Sequence, residues 1–116
     1  MSKWISVLTT DALSDGAMKA VNAEGQEILI GRVGDTYYAA DKRCPHRGGN
    51  LSSGTISGTI VTCPLHGSQF DLRDGHVVRW TNLSGPVATM AKALKPPRPL
   101  KTYPIKSENN QILVEI

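Results

Sequence analysis

The sequence predicts an all-β fold of short antiparallel strands, a sandwich or barrel. The chain has 116 residues, the size of one domain, with 11 Gly and 7 Pro but only two Trp, three Tyr and one Phe. That composition is typical of turns and short strands rather than of a helix bundle. Segments that alternate apolar and polar residues, rich in β-branched side chains, recur between turn residues, as in strands joined by hairpins.

The strands follow from these segments, each bounded by turn residues. In chain order they are Trp4–Thr9, Ala17–Ala23, Gln26–Val33, Thr36–Ala40, Thr59–Thr62, Gln69–Leu72, His76–Trp80, Lys101–Ser107 and Gln111–Ile116. Glu24-Gly25, Asp74-Gly75 and Asn109-Asn110 are turn pairs between consecutive strands and predict hairpins. Residues 1–116 are expected to form one domain.

One helix is predicted, over residues 84–95. Pro86 suits its first turn, apolar residues recur at helical spacing, and Pro96-Pro97 ends it. This helix either caps the sheet or shapes a docking face.

Each cysteine of the chain is followed closely by a histidine. The two segments are Cys44-Pro45-His46 and Cys63-Pro64-Leu65-His66, in a chain that holds only two cysteines and three histidines. A disulfide, or two small buried thiols, are the simpler interpretations. The pairing favours a metal site instead. The third histidine, His76, follows a turn outside both segments and is expected at the surface.

The donor set alone leaves the metal open between zinc and iron. Two Cys and two His complete a tetrahedral zinc site, and thiolate and imidazole suit iron as well. Zinc fingers usually group Cys with Cys and His with His, whereas here each segment offers one of each. Two metals fit that arrangement better than one, because both thiolates can meet at one ion and both imidazoles at the other.

The paired motifs resemble those of the Rieske ferredoxins. The matching segments are Cys44-Pro45-His46-Arg47-Gly48 and Cys63-Pro64-Leu65-His66-Gly67-Ser68-Gln69-Phe70-Asp71. Three flanking segments also look like the family's strands and linker: Tyr37–Ala40, Leu51–Gly54 and Pro99–Ile105. The resemblance implies a Rieske-type antiparallel β-sandwich or barrel, with the cluster-binding subdomain, at about 42–80, inserted between strands.

The same resemblance implies one [2Fe–2S] cluster and its ligands. Cys44 and Cys63 would bind the inner iron through sulfur, and His46 and His66 the outer iron through ring nitrogens. Six further residues are expected to shape or contact the cluster: Arg47, Gly48, Pro64, Leu65, Gly67 and Ser68. Two segments qualify as the family's cluster-shielding proline loop: Gly85-Pro86 and Pro96-Pro97.

Two positions bear on the reduction potential. High-potential Rieske proteins bond a cluster sulfide with a Ser hydroxyl and a Cys sulfur with a Tyr hydroxyl; here Ser68 holds the first position and Phe70 the second. Hydrogen bonds to sulfur stabilise the reduced, more negative cluster. Because Phe70 has no hydroxyl, we expect a potential in the lower part of the Rieske range of about −150 to +300 mV.

The net charge of +3 hides an asymmetry along the chain. Residues 1–41 hold three bases and six acids, residues 42–107 hold ten bases and two acids, and the last nine residues hold two acids. The basic residues near the motifs are Arg43, Arg47, Lys92, Lys95, Arg98 and Lys101. They form either an ordinary solvated face or a patch that attracts an acidic redox partner. No nucleic-acid motif accompanies them.

The resemblance implies a one-electron carrier that passes electrons from a flavin-dependent reductase to a terminal oxygenase, an aromatic-ring dioxygenase or hydroxylase. The sequence shows no nucleophile–base pair and no nucleotide-binding glycine motif, so the chain is expected not to be a catalyst itself. No apolar run reaches the ~18 residues of a membrane span, and a cytoplasmic location is expected. Two alternatives stay open: the small subunit of an assimilatory nitrite reductase, and a non-redox zinc-stabilised interaction module.

Overall fold

The computed structural model describes residues 3–45, 48–65, 67–80 and 98–116, and within them the fold is almost entirely antiparallel β-sheet. The strands are β1 (Trp4–Thr9), β2 (Met18–Ala23), β3 (Gln26–Val33), β4 (Thr36–Asp41), β5 (Thr55–Ser57), β6 (Ile60–Thr62), β7 (Gln69–Asp71), β8 (Val77–Arg79), β9 (Thr102–Tyr103), β10 (Ile105–Glu108) and β11 (Gln111–Glu115). Short 3₁₀ turns cover Thr10–Ala12 and Leu51–Ser53. The all-β prediction is confirmed. The predicted helix at 84–95 lies outside the described residues.

The strands form three sheets. Their orders are β1-β11-β10, β2-β3-β4-β9 and β5-β6-β7-β8. β4 pairs directly with β9, through Ala39 with Tyr103 and Ala40 with Thr102. The third sheet therefore comes between two strands that are neighbours in space, as expected of an inserted subdomain.

β3 separates two apolar cores because successive side chains point to opposite faces of a strand. Ile28 and Ile30 pack in one core with Val114, whereas Leu29, between them, packs in the other. That second core also contains the following buried residues: Ala40, Cys44, Leu51, Val61, Cys63, Phe70, Leu72, Trp80 and Leu100. The third sheet thus packs against the back of β3 and β4, and both cysteines lie in the core between them.

Most of the predicted strands match the observed ones, but one predicted strand is divided and one observed strand was not predicted. β1 and β3 have the predicted bounds. The single strand expected over Lys101–Ser107 is wrong, since Pro104 separates β9 from β10 and has no N–H to continue a ladder. β5 was not predicted; it has only three residues and pairs with β6 across a turn at Gly58.

The turn that joins β7 to β8 is held by a buried carboxylate. Asp71 accepts hydrogen bonds from the Arg73 guanidinium, from Nε at 3.1 Å and Nη2 at 2.7 Å, and from the Arg73 backbone N–H at 2.9 Å. These bonds from Arg73 hold the pKa of the Asp71 carboxyl well below its usual range, against the effect of burial. The ionised form is therefore the one that stabilises the turn.

Asp71→Asn is expected to lower the free energy of unfolding at pH 7 by about 2 kcal/mol, since the amide replaces charge-assisted bonds in a buried site. The wild-type pKa is lowered by folding, so this stabilisation is present above the unfolded-state pKa, about 3.9, and is lost as pH falls below it. Urea melts of both proteins at several pH values check this. A difference that stays constant below pH 4 would contradict it.

Candidate metal centre

Two loops with the same hydrogen-bonding pattern carry the cysteines: a first loop (residues 44–49) and a second loop (residues 63–68). The N–H of each cysteine donates to the carbonyl five residues later, at 2.8 Å for Cys44 to Gly49 and 2.8 Å for Cys63 to Ser68. The N–H four residues later donates back to each cysteine carbonyl, at 2.7 Å from Gly48 and 3.1 Å from Gly67. The two segments therefore fold as equivalent turns.

A glycine occupies the same place in each loop for a backbone reason. Gly48 has φ +71° and Gly67 has φ +70°, in the left-handed region that side chains disfavour. Each comes four residues after its cysteine. A proline, Pro45 or Pro64, directly follows each cysteine, which fixes φ at the start of both turns.

The loops meet at Gly49. A Cβ built on this buried glycine would lie 2.8 Å from Cys63 Sγ and 2.9 Å from Leu65 Cδ1, so the first loop lies against the thiol of the second. Cys44 and Cys63 are both buried, at only 2% and 3% exposed. No disulfide joins them.

The remaining sequence-predicted residues divide into two groups. Pro64 and Leu65 are exposed and Ser68 is buried. His46, Arg47 and His66 lie outside the described residues, as do both candidate proline segments. Since both histidines are among them, the described residues contain no cluster of three or more metal-ligating side chains.

Ser68 connects the second loop to the end of the third sheet. Its hydroxyl donates to the backbone carbonyl of Trp80. A hydroxyl has one donor hydrogen, so a bond from Ser68 to a cluster sulfide requires that hydrogen to leave Trp80. The assignment of Ser68 as a sulfide donor stays a prediction.

Phe70 lies in the same core as both cysteines and is fully buried. Its ring meets Trp80 edge to face, with centroids 6.3 Å apart and an interplanar angle of 87°. The residue that the resemblance aligns with the tyrosine of high-potential Rieske proteins is thus an apolar ring in a buried core.

An arginine contacts each loop from outside. Arg79 Nε donates to the Gly67 carbonyl at 2.9 Å, and Arg98 Nη2 donates to the Pro45 carbonyl at 3.4 Å. Sequence reasoning placed Arg98 in a basic patch but missed Arg79. The predicted β7–β8 hairpin could have indicated Arg79. Its register places Arg79 opposite Gln69, and Gln69 comes two residues after Gly67.

Comparison with known proteins identifies the family of the domain that contains these two loops. Residues 3–104 match the family model of the Rieske [2Fe-2S] domain. The chain belongs to this family. The resemblance inferred from the motifs is therefore confirmed, and the buried thiols of the paired loops fit an iron–sulfur cluster.

The relatives of this Rieske chain cover nearly its whole length. It is 30% identical over 114 residues to the ferredoxin component of the naphthalene 1,2-dioxygenase system of Pseudomonas putida, covering 98% of this chain and 96% of the relative. The ferredoxin of carbazole 1,9a-dioxygenase from Nocardioides aromaticivorans superposes with a TM-score of 0.79 at 27% identity, over 97% and 96% of the two chains. A solved complex of oxygenase and ferredoxin in carbazole 1,9a-dioxygenase contains a chain that matches with a TM-score of 0.76 at 27% identity, over 96% of this chain and 91% of that one. Within the described residues, no helix is long and apolar enough to cross a bilayer.

Proposed function

We propose that this protein carries single electrons to the terminal oxygenase of a multicomponent oxygenase system, by means of a Rieske [2Fe–2S] cluster. The observation that supports this most directly is the pair of equivalent loops that places two buried cysteines in one core, with the Cys63 thiol against Gly49 of the first loop. The full-length similarity to ferredoxin components of dioxygenase systems supports the same role.

The donor set assigned to the cluster is two thiolates and two imidazoles. Cys44 and Cys63 are the sulfur ligands, and His46 and His66 are the nitrogen ligands. When bound, such a cluster accepts and releases one electron. Water is kept from the thiols by the surrounding apolar core, because both cysteines pack with Leu51, among others. A dry site strengthens the influence of nearby charges and hydrogen bonds on the potential.

Electron transfer without catalysis is the role we assign to the chain itself. The reductant is a flavin-dependent reductase and the acceptor is a terminal oxygenase of the aromatic-ring dioxygenase or hydroxylase type. Transient docking occurs at the end of the molecule that carries the two loops, where Leu65 is exposed. The fold alone identifies neither partner. The oxygenase is supported by the similarity to the ferredoxin component of a dioxygenase system and to a chain in a complex of oxygenase and ferredoxin.

Metal and acid-labile sulfide analysis of anaerobically purified protein, with EPR before and after dithionite, tests the proposal. We expect about two irons and two sulfides per chain and a Rieske-type signal only on reduction. Cys63→Ser is the matched control and is expected to lose both iron and sulfide. One zinc without sulfide would instead indicate the non-redox module. A stable complex with a large reductase chain would indicate a nitrite reductase subunit.

Phe70→Tyr is expected to raise the midpoint potential by about 60 mV, the equivalent of one hydrogen bond of about 1.4 kcal/mol for a one-electron couple. The hydroxyl would enter the buried core that holds both cysteines and donate to a thiolate sulfur. A mediated redox titration measures the shift, with Phe70→Leu as the control for repacking alone. An equal shift in both variants would show that the hydroxyl does not reach sulfur.

A further inference from the structure

The basic residues of the described chain fall into two sets that differ in their partners. Five of them pair with carboxylates: Lys3 with Glu24, Arg32 with Asp35, Lys42 with Glu27, Arg73 with Asp71 and Lys106 with Glu108. The other described bases, which form no ion pair with a described carboxylate, are Lys19, Arg43, Arg79, Arg98 and Lys101. All ten Asp and Glu residues lie in the described part of the chain, so no acidic side chain outside it pairs with this second set. Within it, Arg43 lies near enough to Glu27 to help lower the pKa of that carboxyl, which Lys42 lowers more.

Four of these five bases surround the two loops. Arg79 and Arg98 each donate one hydrogen bond to a loop carbonyl, and both side chains are exposed. A guanidinium has five N–H donors in a planar fork, and the bonds that these two arginines make to described residues use one of the five in each. The loop carbonyls thereby fix the positions of two positive charges, one beside each loop.

Arg43 and Lys101 extend the positive surface along the first loop. They line a groove together with Cys44, Pro45 and Arg98. The one carboxylate among the described residues that line the groove, Asp41, accepts a hydrogen bond from the Tyr103 hydroxyl. Three cations and one hydrogen-bonded carboxylate leave this groove with an excess of positive charge.

An exposed apolar side chain lies on the second loop. Leu65 is 57% exposed, although its Cδ1 lies close to buried Gly49. An apolar contact flanked by cations that form no ion pair with a described carboxylate is typical of a docking surface, where complementary charges orient the encounter and apolar contact excludes water.

We propose that Arg43, Arg79, Arg98 and Lys101 form a cationic rim that docks a carboxylate-bearing surface of the terminal oxygenase. The inference rests on the proposed function and deepens it, because it names the charges that align the cluster end of the carrier with its partner. Arg79 and Arg98 are the central members, since loop carbonyls hold both in place.

The test uses a gold electrode coated with a carboxylate-terminated monolayer as the probe for an acidic partner surface. Cyclic voltammetry of the holoprotein gives the electron-transfer rate at about 0.01 M salt, where charges act over about 30 Å, and at about 1 M salt, where they act over about 3 Å. The variants are Arg79→Glu and Arg98→Glu. Lys19→Glu is the control. Lys19 is exposed and, like the two arginines, forms no ion pair with a described carboxylate, but it lies on β2. Its replacement changes the net charge by the same amount as each arginine variant does.

We expect wild type and Lys19→Glu to be fast at low salt and at least about tenfold slower at high salt. Arg79→Glu and Arg98→Glu should each be at least about tenfold slower than wild type at low salt. Each keeps three of the four rim cations, so its rate should fall less at high salt than the wild-type rate does. Equal rates for Arg79→Glu, Arg98→Glu and Lys19→Glu would overturn the proposal of a docking rim. It would also be overturned if the wild-type protein bound duplex DNA tightly and the two arginine variants did not. A mediated redox titration keeps the two proposals separate: without a one-electron transition in wild type, the proposed function itself fails.

Discussion

Gly75→Ala is expected to lower the midpoint of thermal unfolding by more than about 12 °C, equivalent to a loss of at least about 3 kcal/mol. A Cβ at this position would lie 1.9 Å from the carbonyl oxygen of Leu100. That neighbour is backbone, so it cannot rotate away as a side chain could. Circular dichroism melts of the purified holoprotein measure the change.

Three losses add at this site. The backbone of Gly75 has φ +83°, where a Cβ costs about 1–2 kcal/mol. The hydrogen bond from Leu100 N–H to the Gly75 carbonyl, at 2.8 Å, would have to lengthen or break, which costs about 1 kcal/mol. Leu100 is 2% exposed and packs in the core with both cysteines, so its displacement would also expose apolar surface.

Gly25→Ala is the matched control for backbone strain. Gly25 has φ +89°, but nothing lies within 4 Å of a Cβ built there. It should therefore show the left-handed penalty alone, about 1–2 kcal/mol. If Gly75→Ala were no more destabilising than Gly25→Ala, the contact with Leu100 would not hold residues 98–101 against the third sheet.

The glycines show what local sequence can and cannot predict. Glu24-Gly25 was predicted as a hairpin turn, and both residues have positive φ between β2 and β3. Asp74-Gly75 was predicted on the same grounds, and β7 does pair with β8. The contact of Gly75 with Leu100 could not be predicted, because it joins segments 25 residues apart that no local pattern relates.

The candidate site also has parts that the sequence could predict and parts that it could not. Both cysteines could be selected from the sequence, because each is paired with a histidine in a chain that has few of either. The equivalence of the loops, the contact of Gly49 with Cys63 and the position of Arg79 depend on how the third sheet folds back, so they required the structure. The ligand roles of His46 and His66 remain predictions, since both residues lie outside the described part.

Gly49→Ala is expected to reduce the iron content from about two atoms to less than half an atom per chain while leaving the apoprotein fold almost unchanged. The new Cβ would lie 2.8 Å from Cys63 Sγ and 2.9 Å from Leu65 Cδ1. Both neighbours are the ends of side chains, so in the apoprotein each can rotate at a cost of about 1 kcal/mol or less. Under the proposed ligand role, the Cys63 sulfur would be held by iron and could not rotate, so the conflict would fall on cluster binding.

This outcome separates the cluster site from the fold, because stability and metal content respond differently. Gly34→Ala serves as the control: Gly34 has φ +62°, and nothing lies within 4 Å of a Cβ built there. It should destabilise the protein by about 1–2 kcal/mol yet retain its iron and sulfide. Gly49→Ala should instead keep nearly all of its stability and lose most of its iron. Full iron content and an unchanged EPR signal in Gly49→Ala would mean that Cys63 Sγ can move without loss of the cluster, and the assignment of Cys63 as a ligand would fail with it.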